Sequence, residues 1–295
     1  MENLRPDWTK RRYDDDKINL ANNLCYDIIL NSEVDQIIKN TQFDIRQYPD
    51  EAIAYDILSS YHSISSKNIA IGYGIGEIIQ RLLKLEQGQI SIPSPTWPMV
   101  EVFSNIYNLN YTTTYLESAD IVYLANPNGM TGKYKTPEDI ESLCNIHKLV
   151  IIDEAYADFC DISVVELVNV YDNLIILKTL SKTLSLAGLR FGYAISSKEI
   201  IKELQLVRPS CVVSGFAIGM LEQLLQLIPS HVERMIETRS FIESTFNCIP
   251  SNGNYVLFSN CPQEIKDTFI VKEINGVTRM ALTNKELIEQ CLTNI

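Results

Sequence analysis

Short β-branched runs recur along the first two thirds of the chain, each closed by Gly, Asn, Asp or Ser. They are "NIAIG" near Ala70, "QISIP" near Ser91, "DIVYLANPNG" near Val122, "KLVIIDEAY" near Ile151 and "NLIILKTLSK" near Ile176. Helical patterns lie between several of them, such as "GEIIQRLLKLEQ" and "TPEDIESLCNIHK", the second opening on Thr136 and Pro137 as cap and first-turn residues. This alternation predicts an α/β fold with a mostly parallel sheet sandwiched by helices. From Ser197 onward three amphipathic helices are predicted, over "SKEIIKELQLV", "GFAIGMLEQLLQLI" and "SHVERMIETRSFIESTFN". Short strands follow at "NYVLFS", "TFIVKEI" and "VTRMAL". The expected organisation is a large domain over residues 43–228 and a small, shortened α+β lobe formed by both chain ends, 1–42 and 229–295.

Composition narrows the class. The chain has 295 residues, 46% hydrophobic and 21% charged, enough for a large core. A net charge of -12 with no dense Lys/Arg run argues against nucleic acid or an anionic membrane as a partner, since both require a basic footprint. A small-molecule ligand is expected instead. No segment approaches ~20 uninterrupted apolar residues, and the first residues lack the apolar core of a secretion signal, so a cytoplasmic location is expected. Seven cysteines, an odd number with no C-x-x-C pair, fit reduced thiols. His62, His147 and His231 have no spaced metal partner, and no metal is expected.

In an open parallel sheet, ligands bind beyond the carboxyl ends of the strands. Gly72-Tyr73-Gly74-Ile75-Gly76-Glu77 follows the first run and opens a helix, placing backbone N–H groups where a phosphate is stabilised. Trp97, in Ser94-Pro95-Thr96-Trp97-Pro98, offers a flat face, and Asn126 to Gly132 forms a polar turn with amide donors. Taken singly, these are equally a tight turn, a packed aromatic and an ordinary loop. Asp153 ends a strand that is apolar on both faces, with Tyr156 close behind; a buried carboxylate there needs a cation or a proton donor. Thr179, Ser181 and Lys182 end the next strand, and Arg190 follows. Together the strand ends supply an anion cradle, a ring face, a carboxylate, a phenol and an amine. Pyridoxal phosphate requires that set: donors for its phosphate, a stacking face, a carboxylate to keep its ring nitrogen protonated, and a lysine for its aldehyde.

The stretches "RQYPDEA", "GYGIGEII", "SPTWPMVEVF", "NPNGMTG", "IIDEAYADF", "SKTLSLAGLRFGY" and "GVTRMAL" together resemble the class I/II, fold-type I pyridoxal-phosphate aminotransferases, most closely their histidinol-phosphate aminotransferase branch. The resemblance implies that Lys182 forms the Schiff base with pyridoxal 5'-phosphate, that Asp153 pairs with the ring nitrogen and that Tyr156 bonds the phenolic oxygen. It assigns Thr179, Ser181, Arg190 and the turn Gly74-Ile75-Gly76 to the phosphate and Trp97 to the ring. Tyr48 matches a tyrosine reaching the neighbouring subunit's cofactor, so a homodimer is implied. Arg279 matches the arginine that binds the substrate carboxylate. Asn23, Lys272 and Tyr13 are placed near the substrate's distal end.

Three positions depart from the family pattern. Gly129 and Met130 replace an Asn-Pro pair, leaving Asn128 to supply any amide contact to the cofactor; Asn22 replaces a glutamate; and the second basic residue is represented by Lys272 alone. The implied activity moves an amino group between an amino acid and a keto or carbonyl substrate. A decarboxylase resembling threonine-phosphate decarboxylase, and a non-catalytic protein keeping the fold, stand beside it. Lys178 is read as lying outside the chemistry.

Overall fold

The computed structural model describes residues 17–274 and 276–293. Seven strands form one sheet: β1 (Ile69–Gly72), β2 (Ile90–Ser91), β3 (Tyr111–Thr112), β4 (Ile121–Ala125), β5 (Leu149–Asp153), β6 (Leu174–Thr179) and β7 (Gly192–Ser196). Their spatial order is β1-β7-β6-β5-β4-β2-β3, with β7 antiparallel to both neighbours and the remaining pairs parallel. The five strands read from the sequence are all present. The central ones are apolar at nearly every position because both faces are covered. On one face Val150, Ile152, Ile176 and Ile195 pack in a core with Leu58, Leu221 and Leu224. On the other, Ile151, Ile175, Leu177 and Ala194 meet Ile78, Leu82, Phe103 and Leu204.

The helices that supply these layers are α1 (Ile28–Asn40), α2 (Glu51–His62), α3 (Ile75–Leu85), α4 (Met99–Ile106), α5 (Pro137–Cys144), a single turn α6 (Leu180–Thr183), α7 (Lys198–Leu206) and α8 (Gly215–Thr245). Thr136 caps α5 as expected: its hydroxyl accepts from Asp139 N, and Asp139 returns the bond to the Thr136 N–H. The second and third helices predicted beyond Ser197 are one helix. α8 runs unbroken through Pro229, which removes one backbone bond without ending it, and so crosses the position where the sequence places the domain boundary.

A second, antiparallel sheet contains β8 (Cys248–Ile249), β9 (Tyr255–Phe258), β10 (Lys272–Ile274) and β11 (Val277–Ala281) in the order β10-β11-β9-β8. The predicted "TFIVKEI" strand divides at Val271. Its first half, Phe269–Ile270, pairs in parallel with Ile18–Asn19, and its second half is β10. The N-terminal stretch is tied to this lobe by Ala281 N donating to Leu20 O (2.9 Å) and Tyr26 N to Leu282 O (3.1 Å).

Candidate active site

Strand register brings the candidate residues to one edge. Ala125 lies opposite Asp153, Asp153 opposite Leu177, Thr179 opposite Gly192, and Gly192 opposite Gly72. A Cβ on Gly192 would stand 2.5 Å from Ile75 N and 2.7 Å from the Gly74 carbonyl carbon, so only glycine lets β7 start against this turn. Gly74 itself has φ 75°, a left-handed conformation that favours glycine, and serves as N-cap of α3. The first N–H groups of α3 have no carbonyl one turn below them. Arg190 lies across the same turn, with Nη2 2.6 Å from the position of a Gly74 Cβ and donating to Tyr73 O at 3.4 Å. Trp97 closes the side: its ring is 3.1 Å from where a Gly76 Cβ would be, and it meets Phe103 edge-on at 6.2 Å.

Asp153 is buried, 5% exposed, at the tip of β5. Tyr123 Oη donates to its Oδ2 at 2.7 Å and Ala155 N to its Oδ1 at 3.0 Å. Burial raises its pKa to about 6, and the Tyr123 hydrogen bond restrains the rise. The partner that a buried acid demanded is thus in part a tyrosine the sequence reading passed over, although it stands two residues before the one opposite Asp153. Lys182 is half-buried, and its Nζ donates to Asn22 O at 2.8 Å. Burial first, then the positive charge of Arg279 with Lys272 and Arg190, lowers its pKa to about 8.

Around Tyr156 a third group assembles. Asn23 Nδ2 donates to Tyr156 Oη at 3.0 Å, and Tyr156 meets Tyr255 edge-on at 5.8 Å. Arg279, on β11, is 6% exposed; Nη1 donates to Gly129 O at 2.8 Å, while Nε is buried without an acceptor among the described residues. Lys272 sits opposite Arg279 in the β10–β11 register. Asn254, unnoticed in the sequence, donates from Nδ2 to Asn23 O at 3.1 Å, and its Oδ1 has no donor among the described residues. The absent side chain at Gly129 has a visible consequence: a Cβ there would be 2.7 Å from Tyr156 Cε2, so the tyrosine ring occupies that space.

Other expected residues are engaged differently. Asn128 holds its own turn, donating from Nδ2 to Pro95 O (2.8 Å) and accepting from Met130 N (2.9 Å) and Thr131 N (3.2 Å). Thr179 caps α6: its hydroxyl donates to Phe191 O at 3.0 Å and accepts from Ser181 N at 3.1 Å. Ser181 is buried on the first turn of α6. Tyr48 is 88% exposed in the segment between α1 and α2. Tyr13 lies outside the described residues. Among those residues no group of three or more His, Cys, Asp or Glu is arranged to hold a metal ion, and no helix is long and apolar enough to cross a membrane.

The donor set fits pyridoxal phosphate. A buried acid with a raised pKa suits a protonated ring nitrogen, the glycine turn with Arg190 suits a phosphate, and the orphaned Arg279 Nε suits a carboxylate.

Comparison with known proteins leads to the same place. The sequence pattern of the family described as aminotransferase class I and II matches residues 15–294. A histidinol-phosphate aminotransferase of Clostridium botulinum (strain Langeland) is 30% identical over 87% of this chain and 81% of its own length. One from Pyrococcus furiosus is 27% identical over 84% and 80%. Among solved structures, the histidinol-phosphate aminotransferase of Sinorhizobium meliloti, in complex with pyridoxal-5'-phosphate, superposes with a TM-score of 0.77 at 19% identity, covering 94% of this chain and 89% of that one. The L-threonine-O-3-phosphate decarboxylase of Porphyromonas gingivalis shares the fold, with a TM-score of 0.74 at 16% identity over 94% and 98%. With a family match spanning nearly its whole length, the chain belongs to the class I and II aminotransferases, enzymes that work with pyridoxal 5'-phosphate.

Proposed function

We propose that this aminotransferase acts on histidinol phosphate or a closely similar phosphorylated amine, exchanging its amino group with a 2-oxo acid such as 2-oxoglutarate. The observation that carries the substrate class is the cation pair of the small lobe. Arg279 and Lys272 stand opposite each other on adjacent strands, and the Arg279 Nε awaits an acceptor. A carboxylate or a phosphate satisfies that demand equally well. The similarity to histidinol-phosphate aminotransferases supports the same reading.

When bound, pyridoxal phosphate supplies a carbonyl that exchanges amines and a ring that takes up the electrons left when the substrate Cα loses its proton. Gly74, Ile75, Gly76, Ser181 and Arg190 hold its phosphate, Trp97 covers its ring and Tyr156 reaches its phenolic oxygen. Thr179 acts on this site through Ser181, whose N–H its hydroxyl accepts. Asp153 retains a proton at the ring nitrogen, Arg279 orients the incoming anion, and Lys182 Nζ carries the α-proton, its lowered pKa letting it serve as base and acid near neutrality. Asn23 fixes the Tyr156 hydroxyl from the substrate side. Tyr48 completes the partner subunit's site in a homodimer. The protein works in the cytoplasm, in keeping with seven cysteines that are all free thiols.

The test is an absorbance assay on the loaded enzyme. L-Glutamate converts the bound cofactor to its amine form, and histidinol phosphate does the same. Carbon dioxide released from a phosphorylated amino acid, with no amine form from glutamate, overturns this reading in favour of decarboxylation.

A further inference from the structure

Beneath the candidate site lies a buried charge cluster that no step above uses. Lys178, 5% exposed and next to the end of β6, places Nζ 3.0 Å from Glu154 Oε2 and 3.4 Å from Asp158 Oδ1. Glu154, also buried, accepts from Ser163 Oγ (2.6 Å) and Val164 N (2.7 Å). Asp158 Oδ2 accepts from Thr183 Oγ1 at 2.7 Å. Lys178 has Tyr193 as its cross-strand neighbour, and Tyr193 Oη lies 2.9 Å from His62 Nε2.

The connectivity of this cluster matters more than its charge. Glu154 is the residue after Asp153, and Thr183 is the residue after Lys182. The contacts therefore close a ring through both groups: from Asp153 to Glu154, across to Lys178 on β6, along the chain to Lys182 and Thr183, and back through Asp158. Glu154 N donates to Leu177 O at 2.8 Å and closes the same joint through the backbone. Apolar residues of similar volume fill a core without the desolvation cost of two buried charges and a half-buried third, so stability alone does not account for the cluster. What the ions add is a fixed distance between two chain segments.

We propose that Lys178, Glu154, Asp158 and Thr183 are positioning residues, a buried brace that sets Lys182 relative to Asp153 so that amine and carboxylate serve one cofactor. The brace rests on the roles proposed above for those two residues. Its test uses the enzyme loaded with pyridoxal phosphate and reads the pH midpoint of the visible absorbance band together with kcat and KM for L-glutamate. Thr183→Val removes one hydroxyl and no charge. It is expected to move the midpoint by about half a pH unit and to lower kcat about tenfold at unchanged KM, as misplacement of a reacting group does. Thr183→Ser, which keeps the hydroxyl, restores both. Lys178→Met, which leaves the buried Glu154 and the half-buried Asp158 without their cation, is expected to lower kcat further; where it fails to fold, the Thr183 pair decides alone. Valine and serine variants that both load, titrate and turn over like wild type overturn the brace. Wild-type protein that never develops the visible band overturns the assigned roles of Lys182 and Asp153 instead.

Discussion

Lys182 carries its amine in a setting that disfavours charge. Burial, with Arg279, Lys272 and Arg190 adding positive potential, brings its pKa from the usual 10.5 to about 8. The neutral amine is the form that attacks a carbonyl. The cofactor-free protein should therefore acquire pyridoxal phosphate at a rate that rises with pH, is half-maximal near 8 and is flat above it. A rate still climbing toward the ordinary lysine range contradicts the assignment. Asp153 has the opposite displacement, upward by burial to about 6, and a proton shared with a ring nitrogen relieves it. Asp153→Asn keeps the shape and cannot hold that proton. The visible band should still form on Lys182, while kcat falls by about a hundredfold or more. An asparagine variant with wild-type turnover removes Asp153 from the chemistry.

Among the elements, α1 shows how the N-terminal stretch is kept beside the site. Asp27 caps it, accepting at Oδ1 from Ile29 N (3.0 Å) and Leu30 N (3.2 Å). Its Oδ2 accepts from Arg234 Nε (3.0 Å) and Nη2 (2.8 Å) and lies 2.8 Å from His231 Nδ1, both residues on α8. Burial favours the neutral acid, but the bonds from His231 and Arg234 outweigh it and hold the carboxyl well below its usual range. A depressed folded pKa contributes stability that is complete above the unfolded value near 4 and is lost as pH falls below it. Asp27→Ala should cost about 3–5 kcal/mol in urea unfolding at neutral pH, since it strips a buried ion cluster of its anion. The same substitution should flatten the acid side of the stability profile; an unchanged profile refutes the role. This cluster also marks the limit of sequence reading. Five strands of the large sheet, the Thr136 cap and the glycine turn are written in neighbouring residues and were legible, whereas Tyr111–Thr112, Gly192–Ser196 and Cys248–Ile249 were not read. Asp27 and His231 are 204 positions apart, and nothing local announces their contact. Tyr123 and Asn254 were missed for the same reason: each takes its meaning from strand register. The roles proposed for Asp153 and Lys182 could be drawn from the sequence because Asp153 ends an apolar strand and Lys182 follows the end of the next, and a charge there demands an explanation.

At the scale of the molecule, one proposed residue has no hydrogen bond, ion pair or ring contact among the described residues. Tyr48 is 88% exposed, Ile45 is 85% exposed and Phe43 is 47% exposed, apolar side chains set among the exposed Asp44, Arg46 and Gln47 just before α2. A shared site gives that surface a purpose and yields a prediction that only a dimer can satisfy. Tyr48→Phe deletes a hydroxyl expected to meet a phosphate, and loss of one bond to a charged group, about 1.5–3 kcal/mol, should weaken cofactor binding by about 10- to 150-fold. Lys182→Ala abolishes its own subunit's covalent attachment but leaves Tyr48 intact. When the two variants are unfolded together, mixed and refolded at limiting cofactor, each hybrid dimer holds one site with wild-type lysine and wild-type tyrosine and one site with neither. Half the random dimers are hybrids, so the mixture should recover high-affinity attachment at about one quarter of all sites. If Tyr48 served its own chain, every site in the hybrid would carry one defect, and the mixture would bind no better than the two variants kept apart.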